Sequence, residues 1–203
     1  MTENDPAPSS RYSLLRWEVL PGYCAIFDIP KGMPAIHKPA VGDRMGEAYP
    51  SGLEFAMTKK EKGIRIADVI PNACGYFMVS ARMKDLLEQH AQVEIELLRV
   101  TLLNHKGKVS SDDCYIANVI GMVDCVDMGQ TQGTPNPMRA GRFMYLRRLV
   151  LDEARIPPDR RLFRTRAVPE VLIIRDDLKQ VFEREQVTGP TYPPVGSDVN
   201  FTP

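Results

Sequence analysis

Hydrophobic spacing changes near residue 67 and divides the chain into two differently patterned stretches. Residues 11–66 contain scattered prolines and glycines, a density that prevents long helices and favours short strands and loops. Within this stretch, residues 23–29 are the best candidate for a strand. From Ala67 onward the apolar positions recur at regular spacing, so we expect most of the regular secondary structure there.

Two amphipathic helices are predicted, each directly after a short buried strand. The first follows residues 76–79 and begins at Ser80, whose hydroxyl can accept a hydrogen bond from a free backbone N–H. The second follows residues 171–174 and begins at Asp176 and Asp177, where the helix dipole favours negative charge. Both helices should bury one face against the strands that precede them.

A long antiparallel hairpin is predicted between the two helices. Residues 93–102 alternate as a strand does, and the alternation shifts by one position after Leu97, which suggests a β-bulge. Residues 104–107 have the composition of a turn. A second strand is expected from about residue 113 to residue 126.

Together these elements predict an α+β fold with a mostly antiparallel sheet, a long central hairpin and two main amphipathic helices. We expect residues 1–10 to be disordered and residues 11–66 to form an irregular, Pro/Gly-rich N-terminal lobe. Residues 67–195 are expected to form the main α+β domain. The proline-rich chain should leave the globule from Thr191, with residues 196–203 as a tail.

The charge balance disfavours nucleic-acid binding. Lysine plus arginine and aspartate plus glutamate each number 26, so the formal net charge is zero, whereas nucleic-acid binders usually carry a basic excess. A local basic patch is not excluded. The N-terminus has neither a basic start nor an apolar run, so we expect a cytoplasmic protein without membrane association. The sequence allows a monomer or a homodimer equally.

No cofactor or catalytic motif is recognisable. There is no phosphate-binding glycine motif and no G-x-S-x-G elbow, and the three histidines are not spaced like zinc ligands. The four cysteines form no C-x-x-C pair and are expected to be reduced, buried thiols. These cysteines are Cys24, Cys74, Cys114 and Cys125. We therefore expect no cofactor, no bound metal and no catalysis.

The acidic residues at the two ends of the second hairpin strand are the best candidates for chemistry. With His105, the carboxylates of Asp112, Asp113, Asp124 and Asp127 could serve a metal-assisted hydrolase. At ~3.3 Å per residue, however, the two pairs would lie roughly 30 Å or more apart. Turn capping and solvation are therefore the favoured roles, and Asp124 and Asp127 alone could instead form a local acidic patch for a partner.

Arginines are concentrated between residues 139 and 166. Acidic residues are interspersed with them, which favours a network of surface ion pairs; a partner-binding face comes second and RNA binding third. The set comprises Arg139, Arg142, Arg147, Arg148, Arg155, Arg160, Arg161, Arg164 and Arg166.

Several segments together resemble a known family. They are Pro71-Asn72-Ala-Cys-Gly75, the run from Val79 to Leu87, the run from Val100 to Gly107, Ser111 to Ile116, Val123 to Asp127 and parts of residues 163–192. The combination resembles a family of immunity proteins from bacterial polymorphic toxin systems, numbered eleventh among the immunity families and formerly a domain of unknown function. The resemblance covers about residues 67–195. The first 66 residues are a natural place for toxin-specific variation.

The resemblance implies a protein that binds a cognate toxin and neutralises it in the cytoplasm of the producing cell, without catalysis. Such toxins are delivered by contact-dependent or type VI-like secretion. The family brings no catalytic residues, but it suggests that seven residues of the hairpin region matter: Asn104, His105, Lys106, Gly107, Asp112, Asp113 and Asp124. Candidate partner-binding residues are His105, Asp112, Asp113, Asp124 and Asp127. A non-catalytic adaptor of a secretion gene cluster is the other alternative.

Overall fold

A computed structural model describes residues 11–201, in which helices and mostly antiparallel strands confirm the α+β class. The N-terminal segment expected to be disordered, residues 1–10, lies outside the described residues, as do the last two residues of the expected tail. The strands are β1 (Tyr12–Trp17), β2 (Glu54–Ala56), β3 (Val69–Ile70), β4 (Met78–Ser80), β5 (Ile95–Leu103), β6 (Val109–Val119), β7 (Gln132–Pro135), β8 (Phe143–Arg148), β9 (Leu162–Arg164), β10 (Leu172–Arg175), β11 (Pro190–Thr191) and β12 (Asp198–Phe201).

Both predicted amphipathic helices are present. The described helices are α1 (Lys38–Val41), α2 (Ala81–His90) and α3 (Asp176–Arg184). Ser80 caps α2 as predicted, because its hydroxyl accepts a hydrogen bond from the Met83 amide at 3.2 Å. None of the helices in the described range has the length and apolar character needed to cross a bilayer.

Three sheets make up the β structure. The largest has the order β2-β5-β6-β4-β3 and contains the long hairpin of β5 and β6. A four-stranded sheet has the order β11-β1-β10-β9, and a three-stranded sheet has the order β12-β8-β7. Every strand pair is antiparallel except β2 with β5.

Three hydrophobic cores lie between these layers. The central core joins α2 and α3 to both larger sheets, through residues such as Leu87, Leu172 and Phe182. A second core packs the other face of the five-stranded sheet against residues 24–57. A third core lies between the four-stranded and three-stranded sheets. The fold therefore buries both faces of its two larger sheets, which explains why their strands are so apolar.

The alternation of β5 shifts phase because both of its faces are buried, so the prediction of a bulge at Leu97 is wrong. The pairing with β6 is regular from Ile95 to Val100. Leu97 packs against the central core, and Leu98 belongs to the second core. The register shifts occur closer to the turn, on either side of the Leu102 pairing.

Two strand predictions differ from the structure. The second hairpin strand ends at Val119 rather than near residue 126, and Val123 and Val126 form only isolated bridges to other segments. Residues 23–29 also form only isolated bridges, one from Tyr23 and one from Ile26. Each segment meets a neighbour at single points, and apolar character alone does not distinguish such contacts from a continuous strand.

The two ends of the described chain join the sheets. β1 lies between β10 and β11, and Leu15 pairs with Leu172. The expectation that the chain leaves the globule from Thr191 is wrong, since β11 pairs with β1 and β12 pairs with β8. Pro190 lies in the edge strand β11, and Pro193 and Pro194 lie outside the named strands, where a missing N–H costs no ladder hydrogen bond.

Polar contacts connect α2 and α3 at both ends. Asp68 accepts hydrogen bonds from Arg82, in the first turn of α2, and from Thr188, beyond α3. At the other end, Arg161 pairs with Asp177 at 2.9 Å and donates to the backbone oxygen of His90 at 3.0 Å. The two helices are thus held in antiparallel orientation around the central core.

Candidate functional site

The tip of the hairpin is a tight turn built by one side chain. Asn104 Oδ1 accepts hydrogen bonds from the amides of Lys106 at 2.9 Å and Lys108 at 3.2 Å. Gly107 has a φ of 70°, in the left-handed region that favours glycine. The asparagine and glycine that contribute to the family resemblance therefore have a structural role in the turn.

His105 holds a neighbouring loop against this turn. Its Nε2 lies 3.1 Å from the backbone oxygen of Thr58 and 3.0 Å from that of Glu61. Because a carbonyl oxygen can only accept a hydrogen bond, this ring nitrogen must carry the proton. The histidine joins residues 58–61 to the hairpin, which brings together two segments far apart in the chain.

Asp112 and Asp113 lie beside the irregular part of the hairpin pairing. The Asp112 carboxylate is 3.7 Å from Arg99, and both side chains are exposed. Asp113 accepts a hydrogen bond from the Tyr115 hydroxyl at 2.6 Å, which raises the pKa of that hydroxyl. Both aspartates therefore have partners on the hairpin itself.

Asp124 and Asp127 lie beyond the other end of β6. Asp124 forms an ion pair with Arg155 at 2.9 Å. Asp127 accepts hydrogen bonds from the Gln130 amide at 3.0 Å, the Gln130 side chain at 2.7 Å and the Gly129 amide at 2.9 Å, which lower the pKa of its carboxyl group. Asp127 thus caps a turn, which is the role favoured for it from the sequence.

The candidate residues form two groups rather than one. His105, Asp112 and Asp113 belong to the turn end of the hairpin, and Asp124 and Asp127 to the far end. Among residues 11–201 no three histidine, cysteine, aspartate or glutamate side chains are grouped so that they could hold a metal ion. Their role in partner binding stays a prediction.

A mainly apolar cleft of about 560 Å³ opens between β1 and residues 71–75. Trp17 and Cys74 are among its lining residues. The Trp17 indole donates to the backbone oxygen of Asn72, at 3.3 Å, and stacks on Phe77. Burial raises the pKa of the Cys74 thiol to about 11, so the cleft contains a protonated thiol rather than a nucleophilic thiolate at neutral pH.

Asn72, at the edge of this cleft, organises its loop. Its amide nitrogen donates to the backbone oxygens of Ile70 at 3.0 Å and Tyr76 at 2.7 Å. Its side-chain oxygen accepts from the amides of Cys74 at 3.2 Å and Tyr76 at 3.1 Å. Asn72, like Asn104, belongs to a segment that carries the family resemblance. Both side chains hold the backbone of their loop or turn.

Arg164 is fully buried and is surrounded by backbone oxygens. It donates to Pro169 at 2.7 Å, Ala40 at 2.8 Å, and Pro39 and Val119 at 3.3 Å each. Burial lowers the pKa of Arg164 to about 10, which leaves it charged at neutral pH. This arginine fastens α1 and the end of β6 to the four-stranded sheet.

The other arginines divide into two groups. Arg147 and Arg148 pair with Asp198, Arg155 pairs with Asp124 and Arg161 pairs with Asp177, as a surface ion-pair network requires. Arg139, Arg142, Arg160 and Arg166 form no ion pair within the described residues; we call three of them, Arg139, Arg142 and Arg166, the arginine group. Met138, which precedes Arg139 in the chain, has a relative accessibility of 92%.

Lysines from two separate segments meet at the hairpin tip. Lys59, Lys60 and Lys62 lie in the loop that His105 holds, and Lys106 and Lys108 lie in the turn itself. All five are exposed, and we call them the lysine face. The ion pairs that lysines form among the described residues involve Lys84 and Lys179 instead.

This face was not predicted, although both of its segments are visible in the sequence. Residues 58–63 read TKKEKG and residues 106–108 read KGK. The zero net charge of the whole chain conceals the local excess of lysine. Nothing in the sequence places the two segments together. The contact through His105 supplies that connection.

The family comparison agrees with the resemblance and extends it. The model of the family described as Immunity protein family (Imm11) matches residues 15–197, which is most of the chain. The match begins well before Ala67 and so includes the second half of β1 and the segment that packs on the five-stranded sheet. No curated protein matches the chain.

Proposed function

Because this chain belongs to the immunity protein family Imm11, we propose that it binds and neutralises a cognate secreted toxin. It does so without catalysis, in the cytoplasm of the cell that produces the toxin. The toxin belongs to a polymorphic system delivered by contact-dependent or type VI-like secretion. The family match is the observation that carries this proposal.

The roles of the candidate residues support binding over catalysis. His105 contacts two backbone oxygens, Asp113 accepts from Tyr115, and Asp127 caps a turn. Side chains already engaged in these internal hydrogen bonds are poorly placed to transfer protons or bind a metal ion. A blocking protein needs only a complementary surface, and electrostatic complementarity gives such a surface specificity and rapid encounter.

Two of the predicted partner-binding residues are suited to exchange partners on binding. Asp112 and Asp124 are exposed, and each faces an exposed arginine, Arg99 or Arg155. Exposed ion pairs contribute only about 0–1 kcal/mol, so a toxin residue can replace either partner at small cost. We propose that these two carboxylates contribute to the contact surface, with His105 and Asp127 shaping the backbone behind it and Asp113 holding the Tyr115 hydroxyl.

Co-expression with the toxin gene encoded beside this one tests the proposal. We expect the wild-type chain to relieve killing and to co-purify with a catalytically inactive form of the toxin. Continued killing together with no co-purified complex would contradict the proposal. An adaptor of a secretion gene cluster would instead leave killing unrelieved and co-purify with a secretion component.

A metal-assisted hydrolase predicts a different result. The Asp124→Asn variant should then lose protection, and calorimetry should detect divalent-cation binding by the wild-type chain. We expect protection to persist and no binding heat for Mg²⁺ or Ca²⁺. Loss of protection together with metal binding would favour the hydrolase.

A further inference from the structure

The lysine face concentrates positive charge, and none of its lysines forms an ion pair with a carboxylate among the described residues. Glu61, which lies between Lys60 and Lys62 in the chain, is half-buried, and its backbone oxygen accepts a hydrogen bond from His105. Like charges placed close together repel one another, so this arrangement destabilises the free protein slightly. An acidic partner that docks here would remove the repulsion and gain attraction.

We propose that the lysine face is the docking surface for an acidic face of the toxin; this inference rests on the proposed function. Charges that are exposed and unpaired steer a partner of opposite sign during diffusional encounter. The face also has two exposed apolar residues in its own segments, Ile64 at 64% and Val109 at 60% relative accessibility. Such residues allow close contact once the charges have oriented the partner.

A protein partner fits this surface better than a nucleic acid. Single-stranded nucleic acids stack their bases on open aromatic rings. The aromatic rings of the neighbouring segment are covered by cations of the chain itself, with Arg65 4.3 Å from the Tyr23 ring and Lys60 5.9 Å from the Phe27 ring. The zero net charge of the whole chain also weakens attraction to an extended polyanion.

A membrane surface fits less well too. Proteins that lie on membranes usually present an amphipathic helix whose apolar side enters the lipid. Here the lysines lie on a loop and a hairpin turn, and the exposed apolar residues of the two segments are the single side chains Ile64 and Val109. The geometry therefore favours a folded acidic surface.

The test compares charge reversal at two places on the same protein. One variant combines Lys59→Glu, Lys62→Glu and Lys106→Glu. The matched control combines Arg139→Glu, Arg142→Glu and Arg166→Glu in the arginine group, which changes the net charge by the same amount. Association with the inactive toxin encoded beside this gene is measured by surface plasmon resonance, after circular dichroism confirms that both variants are folded.

We expect the lysine variant to associate about 10- to 100-fold more slowly than wild type, because steering by opposite charge is lost. The arginine control should change the rate less than about threefold, and the difference between the variants should shrink at 0.5 M salt, where screening is strong. An equal loss in both variants, or a larger loss in the control, would overturn the proposal.

Two further measurements separate this inference from the function on which it rests. If the wild-type chain neither binds the toxin nor relieves killing, the proposed function fails and this inference fails with it. If wild type binds and protects but the lysine variant associates as fast as wild type, only the docking surface is wrong. Competition with the toxin by a 30-base-pair DNA duplex or by phosphatidylserine vesicles would likewise overturn the assignment to an acidic protein, and we expect neither to compete at equal concentration.

Discussion

Arg164 and the lysine face hold positive charge in opposite ways. Arg164 is 1% exposed, and its guanidinium is enclosed by backbone oxygens from four residues. The five lysines are exposed, and no carboxylate within the described residues pairs with them. A buried cation that stabilises the fold is surrounded by hydrogen-bond acceptors of the chain. Exposed cations without such acceptors are free to contact a partner.

Replacing Arg164 should produce the largest loss of stability. In Arg164→Met the backbone oxygens that the guanidinium satisfied stay buried without donors, so we expect unfolding free energy to fall by about 3–5 kcal/mol. Urea denaturation measures the change. The exposed neighbour Arg166→Met is the control, and an equal loss in both variants would show that burial does not distinguish them.

Removing the Asn72 side chain should have the next largest effect. Asn72→Ala abolishes four hydrogen bonds to the backbone of its loop, which we expect to lower unfolding free energy by about 2–3 kcal/mol. Asn136, which accepts from two amides in an exposed turn, is the control. Asn136→Ala should lower the unfolding free energy by less than half as much, as measured by thermal unfolding of both variants. A greater loss for Asn136→Ala would contradict the contrast between the part-buried loop of Asn72 and the exposed turn of Asn136.

Glu96 is intermediate in exposure between Arg164 and the lysine face. Its ionisation makes the stability depend on pH. Burial by itself raises the pKa of Glu96, but hydrogen bonds from the Met45 and Gly46 amides and from Asn118 outweigh burial, so the pKa lies below its ordinary value. The resulting stabilisation is present above the unfolded-state pKa, about 4.3, and is lost as pH falls through the lower folded-state pKa.

Glu96→Gln should therefore weaken the dependence of stability on pH. We expect a loss of about 1 kcal/mol at pH 7 and a smaller loss at pH 3, where the wild-type carboxylate is increasingly protonated. Urea denaturation at a series of pH values measures this. Exposed Glu54, on the neighbouring strand β2, provides the control variant Glu54→Gln, and parallel pH curves for wild type and Glu96→Gln would refute the assignment.

Substitutions in the lysine face should have the smallest effect on stability. Lys59→Ser and Lys62→Ser each remove an exposed, unpaired charge, so we expect changes below about 0.5 kcal/mol in either direction. Differential scanning calorimetry of the two single variants measures them. A loss of unfolding free energy above about 1 kcal/mol would show that these lysines stabilise the fold, as Arg164 does.

Local features were predicted from the sequence and long-range ones were not. The Ser80 cap, the two helices and the hairpin depend on spacing within a few residues, and all are present. The bulge assigned near Leu97 was wrong because a phase shift can also come from burial of both faces. Local spacing carries no information about which strand covers the second face.

The roles of Arg164 and the lysine face were missed for a related reason. Arg164 belongs to an arginine-rich stretch and looked like a member of a surface network, but its acceptors come from residues near 40, 119 and 169. The lysine face depends on the contact between His105 and residues 58–61. In both cases a distant segment determines what a charged side chain does.

The position of β1 has a consequence for synthesis of the chain. β1 pairs on one side with β10 and on the other with β11, so both of its neighbours leave the ribosome long after it does. Until they emerge, Leu14 and Leu15 have no sheet to join, and chaperones can bind them. Folds dominated by such distant pairings form slowly, because the entropic cost of closing a long loop comes before the stabilising contacts form. β1 therefore completes its sheet only after nearly the whole chain has been synthesised.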